Sequence, residues 1–355
     1  MKDFSWLRTD WRLDLRDPNA PNGFDALRFF AASIVLLGHS WPLTGRTEPP
    51  LGGWDTLAGI GVAIFFVISG FLVAASRERS SSVTNFLHKR VLRILPALLF
   101  VCLVAVFILG PVATTLPLGA YFDHPQTRAY FGNLTMFDID FALPGVFASN
   151  FHPLAVNGSI WTLPIEIFMY LLLAVGSWLL LDRWRILGVI VIAMIAWQWK
   201  GLEWVRDGAH LWTTLPLYYT VKFGIFFALG TAAYLWRDKL PLSPVRAVVL
   251  WVVTWLAGPE LSVLPYMVAL AYSTLLIAVL PWSALTRFGQ RGDFSYGMYL
   301  FAFPVQQTMV HYGGAALPLP ANIMICFLIT LFCAAISWHW IEQPWLQMKS
   351  GAHVR

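Results

Sequence analysis

The sequence predicts an all-α integral membrane protein, a bundle of about ten transmembrane helices with both termini cytoplasmic. Three observations carry that prediction. The 355 residues are 58% hydrophobic and only 12% charged, against roughly 45–50% and about 25% in an ordinary soluble domain. Apolar runs close to the roughly 20 residues that a helix needs to cross the hydrocarbon core recur along the chain. Lysine and arginine alternate between loops as they do where basic loops stay in the cytoplasm.

Residues 1-22 read as a cytoplasmic tail. This stretch lacks an apolar signal region and a small-residue cleavage site, so it is expected to stay on the chain. Residues 23-345 read as a single membrane domain and 346-355 as a second cytoplasmic tail. Spans fall near 26-46, 57-76, 87-110, 160-181, 186-204, 214-236, 245-261, 264-281, 294-312 and 321-341. The seventh and eighth are short and parted only by Pro259, Glu260 and their neighbours. Residues 111-158 form the longest gap, rich in aromatics, glycine and proline, and suit a partly membrane-embedded loop that covers a site. Cys102, Cys326 and Cys333 all lie in apolar runs without metal-ligand or redox spacing, as packing residues do.

Charge tests the layout. With the N-terminus inside, most of the 24 lysines and arginines reach the cytoplasmic face. The opposite face receives only Arg46, Arg128, Lys200 and Arg206, while Lys222 lies inside the sixth span. The formal charge of +5 then reflects loop anchoring rather than an acidic partner, and no nucleic-acid partner is expected.

Ionisable side chains inside a bilayer are costly and mark function by default. The first span, "FDALRFFAASIVLLGHSW", carries Arg28 and His39. Their spacing amounts to three helical turns plus roughly 20°, so both lie on one stripe about 16 Å apart along the axis. Arg28 can bind an anion or snorkel to the headgroups. His39 is too deep to escape, and an imidazole is suited to proton transfer near neutral pH. The fourth span, "NGSIWTLPIEIFMYLLL", carries Glu166 about seven residues in from the far side. Counted at 1.5 Å per residue, that is roughly the depth His39 reaches from the other direction. Glu166 can therefore orient the imidazole, or serve as buried glue beside an arginine.

The remaining candidates carry less chemistry. In the second span, Gly59, Gly61, Ser69 and Gly70 permit close helix approach, and Ser69 also offers a hydroxyl. "NFLHKRVLRILPALLF" opens the third span with Arg90 and Arg93 on one helical face. The pair either anchors the cytoplasmic end or grips phosphate, whose oxygens match guanidinium forks. Lys222 either pairs with Glu166 or reaches the interface. Ser295, Tyr296 and Tyr299 offer hydroxyls in the ninth span, and His339 and Glu342 read as a satisfied helix end. Trp54, Trp161, Trp204 and Trp212 can stack on sugar rings or mark the membrane interface.

Taken in order, "FDALRFFAASIVLLGHSW", "GVAIFFVISGFLV", "FLHKRVLRILPALL", "NGSIWTLPIEIFMYLLL", "FSYGMYLFAFPV" and "HWIEQP" resemble the successive signatures of the bacterial acyltransferase family 3 of membrane O-acyltransferases, in a stand-alone form without a fused periplasmic domain. The likeness runs from about residue 23 to 345. It implies transfer of an acyl group, usually acetyl, from cytoplasmic acyl-CoA to a hydroxyl of an envelope or secreted saccharide, in the bacterial inner membrane. By that likeness the family's arginine and histidine fall on Arg28 and His39, its paired arginines on Arg90 and Arg93, and its glutamate on Glu166. One departure stands out: where members often carry a histidine in the ninth-span motif, this chain has Ala302 and Phe303.

Both lines converge on one expectation. The phosphates of acyl-CoA, a co-substrate rather than a resident cofactor, rest on Arg90, Arg93 and Arg28. The pantetheine arm threads inward to His39 as general base, Glu166 supports His39 or the acceptor, and no metal takes part. Ser69, Trp161, Lys222 and Tyr296 are candidates for lining the cavity or meeting a saccharide or lipid-linked saccharide. Two alternatives stay open: a transient acyl-histidine, and a proton-coupled transporter using His39, Glu166 and Lys222 as a relay.

Overall fold

The structure, a computed structural model, describes residues 22–49, 52–178, 189–190, 194, 210–212 and 215–347. The bundle opens with α1 (Phe24–Leu43), α2 (Leu57–Glu78) and α3 (Val83–Val104). Thr56 and Ser82 start α2 and α3 by accepting from Gly59 N and Asn85 N, each at 3.0 Å. Such an oxygen satisfies one of the donors that a helix start leaves unpaired. α3 continues through a π-helical turn, Ala105–Leu109, as far as Ala113. α4 (Leu163–Trp178) is preceded by a 3₁₀ turn, Gly158–Thr162. α5 (Leu217–Leu235), α6 (Pro244–Leu256), α7 (Val263–Val279), α8 (Ser295–His311) and α9 (Leu319–Ile336) complete it. A short antiparallel pair, His210–Trp212 with Leu215–Pro216, leads into α5.

Among the described residues, five helices are long and apolar enough to cross a membrane: Phe24–Leu43, Leu57–Glu78, Val83–Ala113, Gly158–Ser177 and Leu319–Gln347. A sixth is added if Val263–Val279 and Ser283–Gln290, which meet at an 84° bend, form one broken span. The protein is thus a largely helical, multi-pass membrane protein. The expected seventh span, 245-261, is cut short: α6 has 13 residues, about 20 Å against a core of about 30 Å. Gly258, at φ 71°, breaks it before Pro259. The expected fifth span, 186-204, lies outside the described residues except at Val189, Ile190 and Met194. So do Trp204 and the expected tails, 1-22 and 346-355, except at Asn22, Leu346 and Gln347.

Glycine sets the centre of the bundle. A Cβ on Gly70 of α2 would lie 1.9 Å from Phe227 O of α5, and one on Gly230 of α5 would lie 2.1 Å from Val67 O. The two backbones therefore touch, as small residues permit between membrane helices. Gly61 also brings α2 close to α1, where a Cβ would meet Ala31 O at 2.6 Å. α8 lies against α1 on one side and α9 on the other.

The long gap after α3 folds into a compact cap of short helices. Tyr121 is fully buried and its hydroxyl donates to Val106 O at 2.9 Å. Asn133 clasps Asp140 through both ends of its amide. The cap is sewn to α8: Asn150 Nδ2 donates to Gln307 O and Oε1, both at 2.9 Å, and Asn157 Nδ2 donates to Leu300 O at 2.9 Å. It thereby covers the end of α8 that lies beside His39.

Candidate active site

Five helices converge on a cavity of about 120 Å³. Arg28 of α1, Ser69 of α2, Arg90 and Arg93 of α3, Glu166 of α4 and Tyr296 of α8 all line it. Six sequence-predicted residues thus share one space, although they come from distant parts of the chain.

The arginines there are already engaged. Arg28 pairs with Asp25 one turn earlier and with Asp293 Oδ2 at 2.9 Å. Arg93 bonds to the same Asp293 oxygen, and Glu342 Oε2 lies 3.7 Å from its other nitrogen. Asp293 is further held by the Ser295 hydroxyl and by Ser295 N at 3.2 Å. Burial alone would raise the Asp293 carboxyl, but Arg28 and Arg93 outweigh it and keep it well below the ordinary carboxylate range. Arg90 differs. Among the described residues it forms no ion pair; its Nη2 donates to Ser76 Oγ at 3.2 Å, and its Nε has no hydrogen-bond partner. Its guanidinium lies 6.0 Å from the Tyr170 ring centre.

Glu166 belongs to this end of the molecule. It accepts from the Tyr170 hydroxyl and, at 3.4 Å, from Ser69 Oγ, which is itself 3.2 Å from Tyr170 Oη. Tyr296 Oη donates to Ile94 O at 3.1 Å and offers its ring to Arg93 at 5.9 Å. Further along, Tyr299 Oη donates to Ser159 O at 2.6 Å and meets Thr162 Oγ1 at 2.6 Å. Phe65, edge-on to Tyr299 at 5.6 Å, lines the cavity with it.

His39 does not line this cavity. Its ring stands edge-on to Phe303 of α8 at 5.5 Å, and among the described residues its Nδ1 has no hydrogen-bond partner. The expected direct pairing of His39 with Glu166 is absent, and the reason is geometric. Gly158 already sits against Phe303, where a Cβ would come within 2.5 Å of the ring. Glu166 follows eight residues later, about 12 Å along the helix at 1.5 Å per residue. The cap carries the chain to the depth of His39 before α4 begins, so counting from a membrane surface at residue 160 overstated the height of Glu166.

Two further expectations change. Lys222 does not pair with Glu166; its Nζ lies 2.8 Å from Asp55 Oδ2, just before α2. Trp161 packs edge-on against Tyr219 at 4.9 Å, within an aromatic cluster that includes Phe223 and Phe66, rather than lining the cavity. Glu342 is more than a helix end: buried, it accepts from Ser337 Oγ at 2.9 Å beside Arg93. Asp293 and Tyr170 are the contributors that sequence reasoning passed over. Tyr170 was within reach, four residues after Glu166 on the same helical face. Asp293, two residues before a span, carried no comparable signal.

Residues 22–339 match the profile of an acyltransferase domain. The chain belongs to acyltransferase family 3. A protein named O-acetyl transferase from Shigella phage Sf6 is 29% identical over 338 residues, covering 93% of this chain and 97% of its own. Nodulation protein 10 of Rhizobium leguminosarum bv. viciae is 30% identical over 366 residues, covering 94% and 95%. Acyltransferase MdmB of Streptomyces mycarofaciens is 35% identical over 102 residues, covering 27% and 26%. No solved structure matches the chain significantly. For a member of acyltransferase family 3, the arrangement offers a charged cavity at the Arg28 end of α1 and, further along the same helix, an imidazole whose Nδ1 is unpaired among the described residues.

Proposed function

We propose that this protein is an O-acetyltransferase of the bacterial inner membrane, using cytoplasmic acetyl-CoA to acylate a hydroxyl of an envelope or secreted saccharide. The observation that carries this reading is the stripe on α1, with Arg28 in the cavity and His39 further along the helix against Phe303. Family membership and full-length similarity to a protein named O-acetyl transferase support it. In this reading the arginine end of the bundle faces the cytoplasm.

Coenzyme A is a polyanion that cannot enter lipid, so its phosphates stay at the arginine end. Arg90, free of carboxylate, is the first contact, and Arg28 and Arg93 give the site its remaining positive field. The uncharged pantetheine arm passes Ser69, Phe65 and Tyr299 to bring the thioester to His39. The acceptor oxygen attacks the thioester carbonyl; a C–O bond forms as the C–S bond breaks. His39 takes the hydroxyl proton as general base and returns it to the departing thiolate, so ester and free coenzyme A leave. Glu166 fixes Ser69 and Tyr170 along the donor path. A proton relay through His39, Glu166 and Lys222 gains no support, since Glu166 and Lys222 have separate partners.

The test is direct. Purified protein should release thiol from acetyl-CoA and acetylate a sugar hydroxyl, and His39→Ala should abolish both. Uptake of a solute without thioester cleavage would overturn the reading. Accumulation of acetyl-enzyme without acceptor would replace direct transfer by an acyl-histidine route.

A further inference from the structure

Phe303 has a second histidine against it. His152 of the cap lies edge-on to the ring, its centroid 6.3 Å away at 75°, while His39 takes a similar edge-on pose at 5.5 Å and 81°. Both imidazoles thus pack against one and the same ring. They differ in access: His39 is half-buried, whereas His152 is exposed.

The loop that carries His152 is built, not draped. Gln307 of α8, wholly buried, donates through Nε2 to His152 O and to Ala155 O, both at 2.7 Å. Buried Asn150 bonds back to Gln307. Phe147 and Leu154 bracket the segment in left-handed backbone, at φ 54° and 65°, joined by the Leu154 N to Phe147 O bond. Non-glycine residues hold that conformation only where their surroundings over-determine it, and such strain collects at functional sites. The alternate face of the same loop is apolar: Phe151 packs its ring over Gly45 and is still 62% exposed. A built loop thus presents one polar ring, next to one apolar ring, against the same Phe303 that His39 faces.

Resting on the transferase reading above, we propose that His152 is the acceptor-binding residue of the active site, holding the hydroxyl of an uncharged sugar by hydrogen bond while His39 removes its proton. The donor arrives from the arginine end and the acceptor from the cap, so the two substrates meet at Phe303 without crossing paths. His152 gains and loses no proton in the cycle; the hydroxyl proton still passes through His39 to the thiolate. Phe151 supplies an apolar face for the C–H side of the sugar ring.

The experiment uses the full-length protein in nanodiscs with acetyl-CoA and methyl α-D-glucopyranoside, following thiol release and ester formation. His152→Ala should raise the KM for the glycoside at least tenfold and leave the KM for acetyl-CoA within twofold. His152→Gln, which keeps a hydrogen-bonding group of similar reach, should recover part of the loss. A folded His152→Ala protein with an unchanged glycoside KM, or with both KM values raised alike, would overturn the inference and leave the proposed function standing. A wild-type protein that releases no thiol would overturn both.

Discussion

The two ends of α1 are stabilised in opposite ways. At Arg28, order comes from charge: Asp293 joins Arg28 to Arg93, and Glu342 and Asp25 stand on either side. At His39, order comes from shape: an aromatic ring, a glycine that admits it, and a cap held by amide hydrogen bonds. The lesson concerns what each end has left to give. Most polar groups at the first end are spent on one another, and removing a partner from a buried ion pair costs several kcal/mol. His39 Nδ1 is spent on nothing, so the imidazole is free for chemistry and its loss costs the fold little.

The sharpest test of that contrast is at His39. His39→Ala should lower transfer at least about a hundredfold, in the range usual for removing a general base, with membrane insertion and Tm unchanged. A large fall in Tm would break the comparison. Asp293→Ala should do the reverse, lowering stability by about 3 kcal/mol by taking from Arg28 and Arg93 the carboxylate they share; thermal unfolding in detergent measures it. The same carboxylate sets an acid limb. Because its folded value is depressed, its stabilisation is intact above the ordinary carboxylate pKa of about 4 and is lost progressively as pH falls below that. Unfolding measured from pH 7 down to 3 should show the loss in wild type, with Asp293→Asn lacking that limb.

A smaller effect belongs to the aromatic end. Gly158→Ala pushes a methyl into Phe303 and should lower turnover about tenfold, or 1.4 kcal/mol, while the KM for acetyl-CoA holds. Equal changes in both would mean that Phe303 also shapes the donor path. The smallest is at Lys222, where Lys222→Met should cost some stability by stranding Asp55 yet keep transfer within about twofold. A hundredfold loss there would restore the relay that the Asp55 pairing argues against.

The Arg28–His39 stripe was legible because helical periodicity fixes directions along one element. So was the glycine path on α2, since Gly61 and Gly70 meet neighbouring backbones as small residues in membranes do. The cavity's membership was also largely legible: Ser69, Arg90, Arg93, Glu166 and Tyr296 were all singled out and all line it. What stayed hidden was depth and partnership. Glu166 could not be placed against His39 without knowing that the cap delivers Gly158 below the bundle's rim. Asp293 meets Arg93 across 200 residues of sequence, and Lys222 finds Asp55 in a loop with no periodicity to read. Local spacing shows which way a side chain points, but pairing between helices depends on how they are stacked.

That distant partnership has a consequence for biogenesis. The chain emerges from its N-terminus, so Arg28 and Arg93 are made long before their shared counter-ion, Asp293. For most of synthesis both cations stand near the membrane without it, and only the arrival of α8 closes the circuit. A nascent chain short of residue 293 leaves Arg93 without the carboxylate it shares with Arg28, while Arg28 already has Asp25 beside it. The ion cluster is thus completed late in synthesis, when the C-terminal helices join the first and third.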